Sequence, residues 1–302
     1  MAKQVTWHRF AQWDAHARRE HVENVGRDVL AETAVFHQTS DMLSYHNQLP
    51  DLIHLLQTAL TELQANDESN EWQQQSITAL LMDSLVFQHL ASQPPDAPAT
   101  APASLVQALQ TIVPIDADGL NRYLAHLSGY TQYQWQMEHL AEHPLQNMAA
   151  LMIEFLAYAN REAGLPYGRT NLLRQLLPTY FVERRTGQLT PRQDLGDLMR
   201  QGRPLPKPPT HFHPLAPDSD TLQRFLAKLL NYNPVRPYPA AALFTLMPTW
   251  LTFLQARQLL TPDAAKSTLD DLANLKPDLV IFFESLAGDD ALGTAVSQWP
   301  SA

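Results

Sequence analysis

The sequence predicts an all-α protein, a multi-helix bundle in two helical subdomains joined by a proline-rich linker. Three observations carry this reading. Apolar side chains recur at three- and four-residue spacing along most of the chain, the period of a one-sided helix. Glycine is scarce, 10 of 302 residues against a usual ~7%, which weighs against Gly-rich phosphate loops and tight hairpins. Helix-start signals repeat: Leu-Thr-Pro stands at 189–191 and again at 260–262. There Thr takes the cap and Pro the first helical position.

Residues 5–37 read as a helix, with Trp7, Phe10, Trp13 and Ala17 along one side. Ser40 or Asp41 caps the next, where Pro50 precedes the stripe Leu52, Leu55, Leu56, Leu60 and Leu63. A polar turn at 66–70 leads to a third helix with Ile77, Leu81, Leu85 and Leu90 inward. This acidic bundle, residues 1–92, ends where four prolines fall within nine residues, Pro94 to Pro102. Segment 93–103 therefore reads as a semi-rigid linker.

The larger helical domain, 104–302, opens with helices near 103–113, 118–127 and 131–143. Pro144 permits a new start. Residues 148–159 are apolar all round except for Glu154, so this helix is expected at the centre of the second core. Helices are read at 170–177 and 178–185 and from Thr190, before a proline-rich loop at 202–218. The last section reads as helices near 219–232, 240–259, 262–275, 277–286 and 290–299, with Pro248 kinking the second. Leu279 to Phe283 alone suits a strand, but its helical setting favours a buried helix.

Cysteine is absent, which excludes disulfides and thiolate chemistry. No run reaches the ~18 apolar residues of a membrane span, and residues 1–20 carry no apolar signal core. A cytoplasmic protein without membrane contact is expected. The formal charge is −10, and twelve histidines bring it to +2 if all are protonated, so its charge should respond to pH between about 7 and 5.

Charge is segregated. Residues 28–121 hold twelve acids and no Lys or Arg, whereas 161–207 hold nine bases against four acids. The two blocks either face each other in one fold or present a docking surface for a charged protein partner. In the second case Arg174, Arg184, Arg185, Arg192, Arg200 and Arg203 are the expected partner-binding residues. The interspersed acids repel phosphate and weigh against nucleic acid. Self-association is left open.

His139-Leu140-Ala141-Glu142-His143 spells H-x-x-E-H. On a helix, i and i+4 share a face, so both imidazoles could hold one zinc while Glu142 activates water. Over these five residues the chain resembles the inverzincin metallopeptidase motif. The resemblance implies an α/β fold, which does not suit this chain, and a further acidic ligand downstream. His211 and His213 lie two apart in an extended stretch and are the candidates to complete such a site. Glu154 must be paired, protonated or metal-bound. A structural partner is expected from Arg161, Arg169 or Arg174; the other reading makes Glu154 a catalytic group or ligand. Arg203 to Pro209 fits an Arg-x-x-Pro-x-x-Pro polyproline pattern.

Nucleophile-elbow, dinucleotide, H-E-x-x-H and EF-hand patterns are missing. The sequence therefore leans toward a non-enzymatic helical adaptor or regulatory protein without a cofactor. A metal-dependent hydrolase at the H-x-x-E-H segment and a nucleic-acid-binding regulator using 161–207 are the alternatives.

Overall fold

The computed structural model describes residues 4–66, 71–94, 100–129, 133–189, 213–231, 235–286 and 288–300. Among these residues the fold is all-α with no strand. No helix is long and apolar enough to cross a membrane. Part of the expected polar turn at 66–70, residues 95–99 of the linker, the Thr190 helix start and the polyproline pattern lie outside the described residues.

The stretch read as one helix over 5–37 is broken into α1 (Trp7–Ala11), α2 (Ala15–Arg27) and the start of α3 (Thr33–Tyr45). Asp14 makes the first break, since its carboxylate accepts from Ala17 N–H at 2.8 Å and caps α2. α4 (Leu49–Ala65) carries Pro50 in its first turn, and its buried Leu52, Leu55, Leu56 and Leu63 pack on α2 and α5 (Glu71–Ala91). α6 (Ala103–Gln110) and α7 (Ala117–Leu127) follow, the latter capped by Asp116.

α8 (Met137–Glu142) is short, and α9 (Pro144–Arg161) starts at the expected proline. Leu151, Met152, Phe155 and Leu156 of α9 are buried, so the apolar helix lies in the core as its composition requires. α10 (Tyr167–Arg185) runs unbroken through Pro178, where two helices were expected. It joins the two parts of the chain, packing on α9, α3 and α5. Gly168 makes the approach to α3 possible: a Cβ there would come within 3.0 Å of the Ser44 carbonyl oxygen.

α11 (Ser219–Asn231) packs on α12 (Pro237–Thr245), and α13 (Met247–Ala256) follows after a break at Leu246. Here Pro248 accompanies a complete break where a kink was expected. α14 (Pro262–Leu272) is capped by Thr261 Oγ1, which accepts from Ala264 N–H at 3.3 Å. A 3-10 turn leads to α15 (Lys276–Ser285), which includes Leu279 to Phe283 as the helix expected, and α16 (Asp290–Gln298) ends the fold.

The first helix and the cap of the last both reach His46 at the end of α3. The Trp7 ring stacks on His46 at 3.7 Å, and His46 Nε2 lies 2.7 Å from Asp289 Oδ2 at the cap of α16. Aromatic overlap and a hydrogen bond thus hold the ends of the chain against α3.

Candidate functional site: the two flanks of α11

α11 is amphipathic, with Leu222, Phe225, Leu226 and Leu230 buried at helical spacing. Its N-terminus is anchored at several points. Asp218 caps it, accepting from Thr221 N–H at 2.9 Å, and also pairs with Arg184 Nε at 3.0 Å. Ser219 donates to Asp271 through N–H and Oγ, at 2.7 and 2.8 Å. Tyr180 Oη and Thr221 Oγ1 share a hydrogen bond of 2.8 Å. A helix held this firmly at one end gives its flanks a defined geometry.

One flank forms a groove with α15, of about 190 Å³. Leu226, Leu230, Leu275, Leu279 and Phe282 make an apolar floor, and Asp278 stands among the lining residues. Ile281, one turn along α15 from Asp278, is 69% exposed although its neighbours are apolar. In sequence, Pro262 to Gln298 hold seven Asp and Glu residues against two lysines; Asp271 of these accepts from Ser219 and Asp289 is buried against His46.

The opposite flank forms a cleft with α10, of about 370 Å³. Leu172, Leu176, Phe225 and Leu229 line it with Glu183, Lys228 and Arg236. Glu183 Oε1 accepts a hydrogen bond from Lys228 Nζ.

The zinc site expected at His139, Glu142 and His143 does not assemble. α8 ends at Glu142, and His143 has left the helical conformation, at φ −135° and ψ 72°. Pro144 disfavours helical backbone at the residue before it, so the i, i+4 geometry is lost. Glu142 and His143 are exposed, and His139 lies beside the Tyr133 ring. His213 sits elsewhere: Nε2 donates to the Leu259 carbonyl at 2.9 Å and Nδ1 accepts from Leu215 N–H at 3.2 Å. That pattern uses both ring nitrogens of a neutral imidazole. His211 lies outside the described residues. Among the described residues no group of three or more His, Asp or Glu is placed to hold a metal ion.

Glu154, 5% exposed, is paired as expected of a buried carboxylate, but with an arginine the sequence did not single out. Arg257 Nε donates to Oε2 at 3.2 Å, while Trp135 Nε1 and Tyr133 N–H donate to Oε1 at 2.9 and 3.2 Å. Of the three arginines considered, Arg161 donates to the Ser128 carbonyl, Arg169 lies over the Tyr45 ring, and Arg174 pairs with Asp83.

The arginines of the basic block divide. Arg174 meets Asp83 of the acidic block, so there the two blocks face each other. Arg184 is buried, donating to the Ala216 carbonyl at 2.6 Å besides its pair with Asp218. Arg185 is exposed, and Arg192, Arg200 and Arg203 lie outside the described residues.

Neither flank of α11 was legible beforehand. The acidic bias of residues 262–298 was the available signal for the groove. Nothing local marks Glu183, which the sequence counts only as one acid within a basic block. Compared with known proteins, the chain matches no family model, no curated protein and no solved structure.

Proposed function

We propose that this protein is a non-enzymatic, cytoplasmic helical adaptor, and that the groove between α11 and α15 receives a basic amphipathic helix of a partner protein. The observation that carries this reading is an apolar floor with Asp278 among its lining, on a helix that also carries the exposed Ile281. Helix-in-groove recognition uses apolar anchors at i, i+3 or i+4 and i+7. The lining of α11 runs from Gln223 to Asn231, about 12 Å at ~1.5 Å per residue, which matches the reach of such anchors. The acidic bias of residues 262–298 favours Lys or Arg on the flanks of the incoming helix, which raises association rate and orients it. The pairing of Glu154, Arg174 and Arg184 within the fold supports a structural role for those groups.

The test uses two labelled 14-residue peptides with the same leucine anchors, one flanked by lysines and one by glutamates. Anisotropy should show saturable binding of the basic peptide that weakens from 0.1 to 0.5 M salt as charges are screened. Ala227→Arg, which puts a cation into the groove, should weaken binding at least tenfold. Equal binding of both peptides, or undiminished binding by Ala227→Arg, would overturn the proposal.

A further inference from the structure

We propose that the apolar pocket between α8, α9, α10 and the segment leading into α11 binds a short-chain aliphatic carboxylate, with the Arg185 guanidinium holding the carboxylate at its rim. This pocket is separate from the groove between α11 and α15 and does not depend on the adaptor reading.

The pocket measures about 110 Å³. Leu140, Met148, Phe181 and Leu215 line it, and each is at most 9% exposed. Three further walls are prolines from separate stretches of chain: Pro144 opens α9, Pro178 lies within α10, and Pro214 precedes α11. A proline ring fixes φ and carries no N–H, so these walls are stiff and offer a ligand no backbone donor. Among the described residues Arg185 is the one polar side chain in the lining.

Arg185 is reachable and uncommitted. It is exposed, at the end of α10. The carbonyls of that last turn are already taken: Val182, Glu183 and Arg184 accept from the N–H groups of Thr186, Gln188 and Gly187 at 2.9, 2.9 and 3.2 Å. The neighbouring acids are taken as well, Glu183 by Lys228 and Asp218 by Arg184. Glu142, two residues beyond Leu140, is exposed and is not among the pocket walls. Among the described residues no carboxylate pairs with Arg185. The charge at the rim is therefore positive. α9 adds to it, since it begins at the Pro144 wall without a side-chain cap and the positive end of its dipole lies there.

Charge and size then select the ligand. A guanidinium presents a planar fork that matches both oxygens of a carboxylate. The body of the ligand must be apolar, because the walls supply neither donors nor acceptors from side chains. An aliphatic cavity of about 150 Å³ accepts benzene, so a somewhat smaller one suits a chain of about four carbons.

NMR titration of the full chain with valerate, n-pentanol, n-pentylammonium and acetate tests the assignment. Valerate should bind saturably and more weakly as salt rises. Pentanol and acetate should each bind at least about fivefold more weakly, the first lacking the charge and the second the buried chain. Pentylammonium should not bind. Arg185→Gln changes an exposed residue and should weaken valerate about fivefold, the upper value of an exposed pair, while Arg185→Lys should recover part of that loss. Val182→Trp fills the pocket from its half-buried wall and should abolish binding. Ala227→Arg, in the other groove, should leave valerate affinity unchanged. The proposal fails if wild-type protein shows no saturable valerate binding, if the alcohol or the amine binds as well as the acid, or if folded Arg185→Gln or Val182→Trp binds valerate like the wild type.

Discussion

Arg236 closes on Asp41 through two parallel hydrogen bonds of 2.9 Å, Nε to Oδ2 and Nη2 to Oδ1. This fork joins the start of α12 to α3 across 195 residues of chain. Asp41 is buried, and the arginine takes both of its carboxylate oxygens. Replacing Arg236 with Leu should cost about 3 kcal/mol, because a buried carboxylate left alone is more costly than a lost contact. Replacing Asp41 with Asn in the same chain should recover part of that loss. Urea denaturation of the two singles and the double variant gives the coupling energy. A value near zero would mean that the fork contributes only geometry.

Adjacent arginines should behave oppositely. Arg184 is enclosed with Asp218 and the Ala216 carbonyl, whereas Arg185 is exposed. Arg184→Glu sets two carboxylates against each other in a buried site and should cost at least ~3–5 kcal/mol. Arg185→Glu should change stability by less than ~0.5 kcal/mol. Melting temperatures decide this, and similar values would contradict the burial of Arg184.

Glu154 offers a graded test. Glu154→Gln keeps an acceptor for the Trp135 indole but removes the charge facing Arg257, with an expected loss of ~1–3 kcal/mol. Glu154→Leu also orphans the indole N–H and the Tyr133 N–H and should cost ~3–5 kcal/mol. Urea titrations should rank the two in that order. The reverse order would mean that the site prefers an apolar side chain to a satisfied polar one.

What could be read beforehand follows from the range of the interactions. Thr261, Pro144 and Pro50 act within one turn, and the helices they start were readable. Pro178 was misread because a proline removes only one helical bond, a loss that α10 offsets by burying Leu172, Leu173, Leu176 and Leu177. That Glu154 needs a partner follows from its apolar helix. That the partner is Arg257 does not, because 103 residues separate them. Segregated charge is visible in sequence, but its direction is not: Arg174 and Arg185 look alike there, yet one pairs with Asp83 and the other is exposed.

The histidines set the response to acid. His21 is held below its ordinary range, first by burial and then by Arg9. Its Nε2 is buried and among the described residues has no hydrogen-bond partner; the ring lies edge-on to those of Phe10 and Trp13. Burial also pushes His213 down more than its hydrogen bond to Leu259 lifts it, with Arg184 adding to the depression. Both stay neutral in the folded protein at a pH where the unfolded chain, titrating near ~6.5, has taken up protons. Stability should therefore be fully present above about pH 6.5 and fall as the pH drops below it. Each histidine contributes at most ~1.4 kcal/mol per pH unit. Burial raises the carboxyl of Asp51, which acts with the opposite sign, so variants are needed to isolate the histidine share. The urea midpoint of the wild type should fall between pH 7.5 and 5.5. A His21→Phe, His213→Gln double variant should fall less over the same interval. Parallel curves for the two proteins would show that these imidazoles do not govern acid sensitivity.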